Sequence, residues 1–318
     1  MAILVSKTLQ ILHSDFCGVV MRYELSESEW SVISRLLPNK PRGVPRVDDR
    51  RVLNGIFWVL RSGAPWRDLP ASYGPRTTCY NRFVRWRRAG VWEHIMNALG
   101  AGHDAAIRMI DTSMVRVHQH AATIANGARQ AQGRSRGGLT TKLHAVVDAS
   151  GLPLKLEVTP GEAHDNRLCS ALLRGLEPKA MVIADRGYDA DWIRALVNQQ
   201  GAWANIPPKR NCKDPICFSP HLYRARNHIE RFFNRIKQCR RVATRYDKLA
   251  SNYLAFMQLA SIRLWLRVYE FTPLGRPGCC AMQVSIPVEN LPALTCVRAV
   301  KLPSRRARRP FPRVCAAQ

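Results

Sequence analysis

The chain has 318 residues, is 46% hydrophobic, and carries 49 Lys and Arg against 23 Asp and Glu, for a formal net charge of +26. That length suits one large or two modest domains around a packed core. The charge argues against an enzyme of small neutral metabolites and for a polyanionic partner, and no apolar run reaches the ~20 residues of a membrane-spanning helix.

The charge is spread along the chain: +7 falls in residues 274–318, none in 1–20, and +19 in 21–273. The ten cysteines show no CxxC pair, and Cys79, Cys169 and Cys239 sit in apolar or helical patterns, as reduced thiols of a cytoplasmic protein do. Cys212, Cys217, His221 and His228 have a spacing that matches no standard zinc finger.

Residues 26–100 read as helical. Ser26 and Glu29 form a capping box ahead of Trp30, Ile33, Leu36 and Leu37, and Pro38 stops that helix. The Pro/Gly-rich stretch 38–45 is a loop. Asp48 or Asp49 caps a second helix with Val52, Ile56, Phe57, Val59 and Leu60 inward. Residues 62–70 form a turn with a short helical piece. Thr77 or Thr78 then caps a third helix that Gly90 ends. Here Tyr80, Phe83 and Trp86 should dock the helix, leaving Arg82, Arg85, Arg87 and Arg88 free. Two helices joined by a turn, the second loaded with arginine, read as a helix-turn-helix-like DNA-binding unit. The alternative is a small bundle with a solvated basic face.

Residues 105–207 carry a sheet. In the first strand (106–117), Met109, Asp111, Ser113, Val115 and Val117 share one parity, so Asp111 lies among apolar neighbours on one face. Residues 122–140, polar and glycine-rich, read as a loop whose Arg134 and Arg136 suit phosphate contacts. Strands at 142–148 and 153–159 follow around a turn at Ala149–Gly151, then a helix from Asp165 through Leu176. The run Met181 to Ala184 ends in Asp185 before Gly187 turns the chain; a carboxylate at the mouth of a strand is where α/β sheets place ligands. A helix bearing Trp192, Ile193, Leu196 and Val197 and a short strand (203–206) complete the sheet, and residues 249–268 form an apolar covering helix.

Tyr223, Arg226, Glu230 and Lys237, at offsets 0, 3, 7 and 14, fall within roughly 60° of one another on a helix. Ile229, Phe232, Phe233 and Ile236 form the opposite, core-facing stripe. One carboxylate between two cations suits a site holding a divalent metal against a phosphate. An ordinary amphipathic helix with an i, i+4 Arg226–Glu230 pair is the plainer alternative. Asp111, Asp185 and Glu230 together, in the order strand, strand, helix, favour the metal site.

These residues resemble the DDE transposases of bacterial insertion sequences, of the insertion-sequence-five group: Asp111 in IDTS, Asp185 in ADRGYD, and Y-x2-R-x3-E-x6-K at Tyr223, Arg226, Glu230 and Lys237. The resemblance covers about residues 21–273. It implies an α/β, RNase H-like catalytic domain at 101–273, with a mixed five-stranded sheet and flanking helices, preceded by a small all-α DNA-binding domain at 21–100. It further implies Asp111, Asp185 and Glu230 as catalytic metal ligands for two Mg²⁺, with Mn²⁺ able to substitute. DNA contacts would come from Arg226, Lys237, Tyr223, Arg134, Arg136, Lys142, Arg186, Arg82, Arg85, Arg87 and Arg88. The partners would be double-stranded DNA and further copies of the chain, as a homodimer or higher oligomer on the nucleoid in the cytoplasm. A nuclease on the same fold and an inactive DNA-binding remnant are the competing readings. MRYELSESEW, beginning at Met21, resembles a usual family start, so residues 1–20 read as an atypical extension and the basic residues 274–318 as an atypical, disordered tail.

Overall fold

The computed structural model describes residues 23–38, 47–101, 106–123, 128–210, 212 and 216–270. The extension at 1–20, most of the loop at 38–45, part of the loop at 122–140 and the tail at 274–318 lie outside the described residues.

Among the described residues, four α-helices come first. In α1 (Glu27–Ser34) the capping box is complete: Ser26 Oγ accepts from the Glu29 amide at 3.1 Å, and Glu29 Oε2 accepts from the Ser26 amide at 3.0 Å. Asp48 caps α2 (Asp49–Ser62), which ends at Gly63 with φ 73°. Helix α3 (Arg76–Arg88) starts directly after Pro75, with no side-chain cap, so neither Thr77 nor Thr78 fills that role. Pro75 is itself the N-cap residue and has no side-chain oxygen with which to accept from the first helical amides. Helix α4 (Val91–Gly100) completes the layer after Gly90, which adopts φ 69°.

The sheet is built on β1 (Ile107–Val117). Two short strands, β2 (Gly133–Ser135) and β7 (Thr244–Arg245), flank the main path. The other strands are β3 (Gly138–Val147), β4 (Pro153–Pro160), β5 (Met181–Ile183) and β6 (Trp203–Asn205). Five of them run in the order β4-β3-β1-β5-β6. β1, β3 and β4 form an antiparallel meander, and β5 and β6 lie parallel to β1. This is an RNase H-like sheet, extended to seven strands. β2 corrects the loop expected at 122–140, since residues 133–140 form a hairpin turned by Arg136 and Gly137, with Gly138 (φ 97°) opening β3. Glycine-rich polar sequence hid that pairing.

Both faces of the sheet are covered. On one, Met109, Val115, Leu143, Ala145 and Val147 share a core with α1–α4, with α8 (Asn227–Lys237), with the single turn α9 (Arg240–Ala243) and with α10 (Ala250–Glu270). On the other, Ile110, Val146 and Val182 pack with α5 (Cys169–Leu172) and α6 (Asp191–Gln199). The helix expected from Asp165 to Leu176 is a 3₁₀ turn (Asp165–Leu168) and the single turn α5. Lys155 Nζ takes the carbonyls of Leu172 and Arg174, and Gly175 (φ 74°) then turns the chain.

Two devices hold α8 and α10 to the sheet. Gly151, at φ 79° in the β3–β4 turn, lies so close to α8 that a Cβ there would meet the His228 carbonyl oxygen at 3.0 Å. Arg245 is fully buried. Its guanidinium donates to the carbonyls of Ala131, Asp247 and Lys248 and to Thr141 Oγ1, at 2.7–3.1 Å. It also lies over the Tyr253 ring. One side chain thereby joins β7, β3 and the start of α10. Arg245→Met keeps the bulk but strands those acceptors, and should lower stability by roughly 3 kcal/mol in equilibrium denaturation.

Candidate active site

The register of β1 and β5 sets the site. Met109 pairs with Ile183 in parallel register, so Asp111 and Asp185 each lie two residues further along adjacent parallel chains. They share parity, hence the same side of the sheet, at a strand spacing of about 4.8 Å. That side is the one α8 covers. Its apolar stripe, Ile229, Phe232, Phe233 and Ile236, is buried as its helical spacing requires, which turns the opposite strip, with Glu230, toward the strand ends.

Arg226 links the strand to the helix. Its guanidinium donates to Asp111 Oδ2 at 2.7 Å and to Glu230 Oε1 at 2.5 Å. The plain i, i+4 pair is therefore present, but the same cation also grips the strand carboxylate. Lys237, at the far end of α8, donates to Ser113 Oγ at 2.6 Å. α8 and the turn before it thus meet β1 twice, at Asp111 and at Ser113, two residues apart on one face. Tyr223 ends α7 (Pro220–Tyr223) and is half-buried, edge-on to Phe218 at 5.5 Å. Burial raises its hydroxyl pKa, Arg226 opposes that, and Asp185, Asp111 and Glu230 add to it. Tyr223 therefore feels all three carboxylates.

Asp111 is buried, and its carboxyl is pushed from the ordinary 3.8 up to about 6. Burial is the main cause; Arg226 and the Thr112 amide oppose it, and Asp185 and Glu230 reinforce it. Asp185 Oδ1 accepts from the Gly187 amide at 2.9 Å and so caps the turn that follows its strand. Glu230 is exposed. By donor chemistry, three carboxylates, two of them gripped by Arg226, fit a hard divalent cation. Among the described residues no three of His, Cys, Asp and Glu stand at metal-ligand spacing; Arg226 occupies the place between Asp111 and Glu230.

The remaining expected contacts divide. Arg186, Arg134, Arg136, Arg85 and Arg88 are exposed, and Arg87 is half-buried on Ser251 Oγ. Arg82 is not free, which corrects the expectation: it is buried, ion-paired to Asp49 and stacked over Trp86 at 5.2 Å. Its neighbour Tyr80 faces solvent instead, against the edge of Trp66. The docking face of α3 is Phe83, which stacks on Phe256 at 4.6 Å, with Trp86 on Trp92. The helix is rotated enough to bring Arg82 in and Tyr80 out, because Asp49 supplies the charge that a buried guanidinium needs.

Lys142 is likewise buried, with Nζ on the Ala163 carbonyl at 2.5 Å and on Asp165 at 2.7 Å. It lies on the other face of the sheet from Asp111, with its charge paired. Sequence reasoning missed the network it belongs to. Thr112 Oγ1 donates to Asp165 Oδ1 at 2.8 Å while the Thr112 amide donates to Asp111. Tyr188 is buried beneath, its hydroxyl without a partner among the described residues. Parity was the available signal for Thr112, which must face away from Asp111.

A carboxyl whose native pKa exceeds its unfolded value opposes folding when ionised. That penalty is present above about pH 6 and is relieved as pH falls toward 4, so between these values stability should rise on acidification by roughly 2–3 kcal/mol from this group. Asp111→Asn should be more stable than the parent at pH 7 and flatter between pH 6 and 4. Denaturation midpoints of the metal-free proteins across that range check both; parallel pH curves would contradict the burial of Asp111.

Residues 102–265 match the family "Transposase DDE domain" and residues 25–96 match "Putative transposase of IS4/5 family". The chain is 43% identical over 132 residues to "Putative transposase for insertion sequence element IS6501" of Brucella ovis, covering 41% of this chain and all of that one. It is 38% identical over 106 residues to an "Insertion element IS402 uncharacterized 16.2 kDa protein" of Burkholderia cepacia, 29% of this chain and 72% of that one. Among solved structures, a piggyBac transposase synaptic complex with hairpin DNA aligns with TM-score 0.42 and 8% identity over 80% of this chain and 73% of that one. A Mos1 transposase paired-end complex aligns with TM-score 0.28 and 14% identity over 83% and 76%. The sheet order, the paired strand-end aspartates and the match over more than half the chain agree: the chain belongs to the DDE transposase family of insertion sequences.

Proposed function

We propose that the chain cleaves DNA at the ends of its insertion sequence and joins the freed 3′ end to target DNA, with Asp111, Asp185 and Glu230 as the catalytic residues. The observation that carries this is the matched placing of Asp111 and Asp185 on neighbouring parallel strands, with Arg226 joining Asp111 to Glu230. Dependence on a divalent cation belongs to the DDE family; the finer proposal is two Mg²⁺, with Mn²⁺ as substitute, held by these three carboxylates. When bound, such ions activate the attacking oxygen and neutralise the leaving one of an in-line displacement.

The protein's own groups do the rest. Asp111 must be ionised to act as a ligand. Arg226, once its two carboxylates have another cation, presents a planar fork to phosphate, and Lys237 a point charge at the other end of α8. The ring of Tyr223 closes the side of the site nearest Phe218. Water attacks the phosphorus at the element's end and the 3′ oxygen leaves; that 3′ hydroxyl then attacks a target phosphodiester, whose own 3′ oxygen leaves as the new bond forms. No covalent enzyme intermediate is required. Exposed Arg134, Arg136, Arg186, Arg85 and Arg88 line up as backbone contacts. Residues 21–100 would serve end recognition and 101–273 the chemistry. Assembly as a homodimer or larger on nucleoid DNA follows from the need to hold two ends. Among the described residues no helix is long and apolar enough to cross a membrane.

Asp111→Asn, Asp185→Asn and Glu230→Gln should each lower strand cleavage by about 10³-fold or more, the loss of several kcal/mol, while binding to terminal repeats is kept. Cleavage at the parent rate in any of them would contradict the assignment. An assay that detects joined products separates strand transfer from simple nuclease action. On α3, Arg85→Ala should lower the slope of log affinity against log salt by about one if it meets a phosphate. Arg82→Met should leave that slope alone and reduce stability instead.

A further inference from the structure

Two adjoining hollows of about 260 and 430 Å³ open between α2, the end of α8 and α10. Arg61, Gln238, Cys239, Arg263 and Arg267 line both, and Arg235 lines the larger. Burial pushes the Cys239 thiol up, and the neighbouring cations Arg61, Arg267 and Arg263 oppose that shift. Arg263 is engaged by Glu29 at 3.0 Å. Among the described residues no carboxylate pairs with Arg61, Arg235 or Arg267. Guanidiniums gathered in a concavity without an acid raise the local potential and attract an anion, and their planar forks match phosphate oxygens.

Arg231, Asn234 and Arg235 of α8 and its C-cap Gln238 are exposed and fall within roughly 100° of one another around the helix. They form a strip of donors that reaches the cleft at the end of α8, roughly 90–110° round the helix from Glu230 and Lys237. We propose that this arginine cleft is a second phosphate site, which seats a backbone phosphodiester of the bound DNA other than the one held at the carboxylates. It rests on the DNA-cleaving reading above and adds Arg61, Arg235 and Arg267 to the residues that hold the substrate.

The test uses the full chain and a duplex carrying the element's terminal repeat. Cys239 on the cleft wall gives a local readout: bound DNA should shield it from maleimide, as read from the mass of its peptide. Arg61→Gln with Arg267→Gln should cut the slope of log affinity against log salt by about one, and Arg61→Lys with Arg267→Lys should restore it. If the parent protein cuts terminal repeats while Cys239 stays fully reactive, the cleft inference fails and the DNA-cleaving reading stands. Shielding by inorganic phosphate at matched ionic strength, but not by DNA, would overturn a DNA phosphodiester as the occupant. A parent protein that neither binds nor cuts the duplex would sink both readings.

Discussion

The structure depends on holding two like charges beside each other in a partly dry place. Parallel pairing of β1 with β5 forces Asp111 and Asp185 to adjacent positions, and burial makes ionising Asp111 costly. Such an arrangement is stable only if a cation is at hand. In the metal-free protein Arg226 is that cation, delivered from the turn before α8. Much of the rest of the fold fixes this geometry. The apolar stripe of α8 sets the helix's rotation, the close approach of Gly151 to His228 sets its height, and Lys237 on Ser113 sets its far end.

The arginines fall into two populations with different physics. Arg82, Arg241 and Arg245 are buried, each with an acid or a set of carbonyls: Arg82 ties α3 to α2, Arg241 ties Asp247 to the Ala64 carbonyl beyond α2, and Arg245 ties the sheet to the start of α10. Arg85, Arg88, Arg134, Arg136 and Arg186 remain at the surface, where a net charge of +26 has its effect on a polyanion. Net charge alone does not tell these populations apart, which is why a basic helix cannot be read as a binding face residue by residue.

The same limit explains what was legible in the sequence. Strand β1 and its apolar parity, the strand-end position of Asp185, and the capping box at Ser26 and Glu29 are local patterns, and each is found where sequence places it. The relation of Asp111 to Asp185 depends on strand register, which no local pattern encodes. Arg82 and Lys142 looked like free cations because their partners, Asp49 and Asp165, are 33 and 23 positions away. The hairpin of β2 and β3 was hidden by glycines that weaken strand propensity but are needed for its turn.

The central claim is that Asp111, Asp185 and Glu230 form one cation site that Arg226 fills when no metal is present. The most direct measurement is a crystal structure of the chain grown with Mn²⁺, read by anomalous scattering. Manganese peaks shared by Asp111 and Asp185, with Glu230 turned in and the Arg226–Asp111 contact opened, are the expected result. Manganese bound elsewhere, with Arg226 still bridging Asp111 and Glu230, would contradict the account.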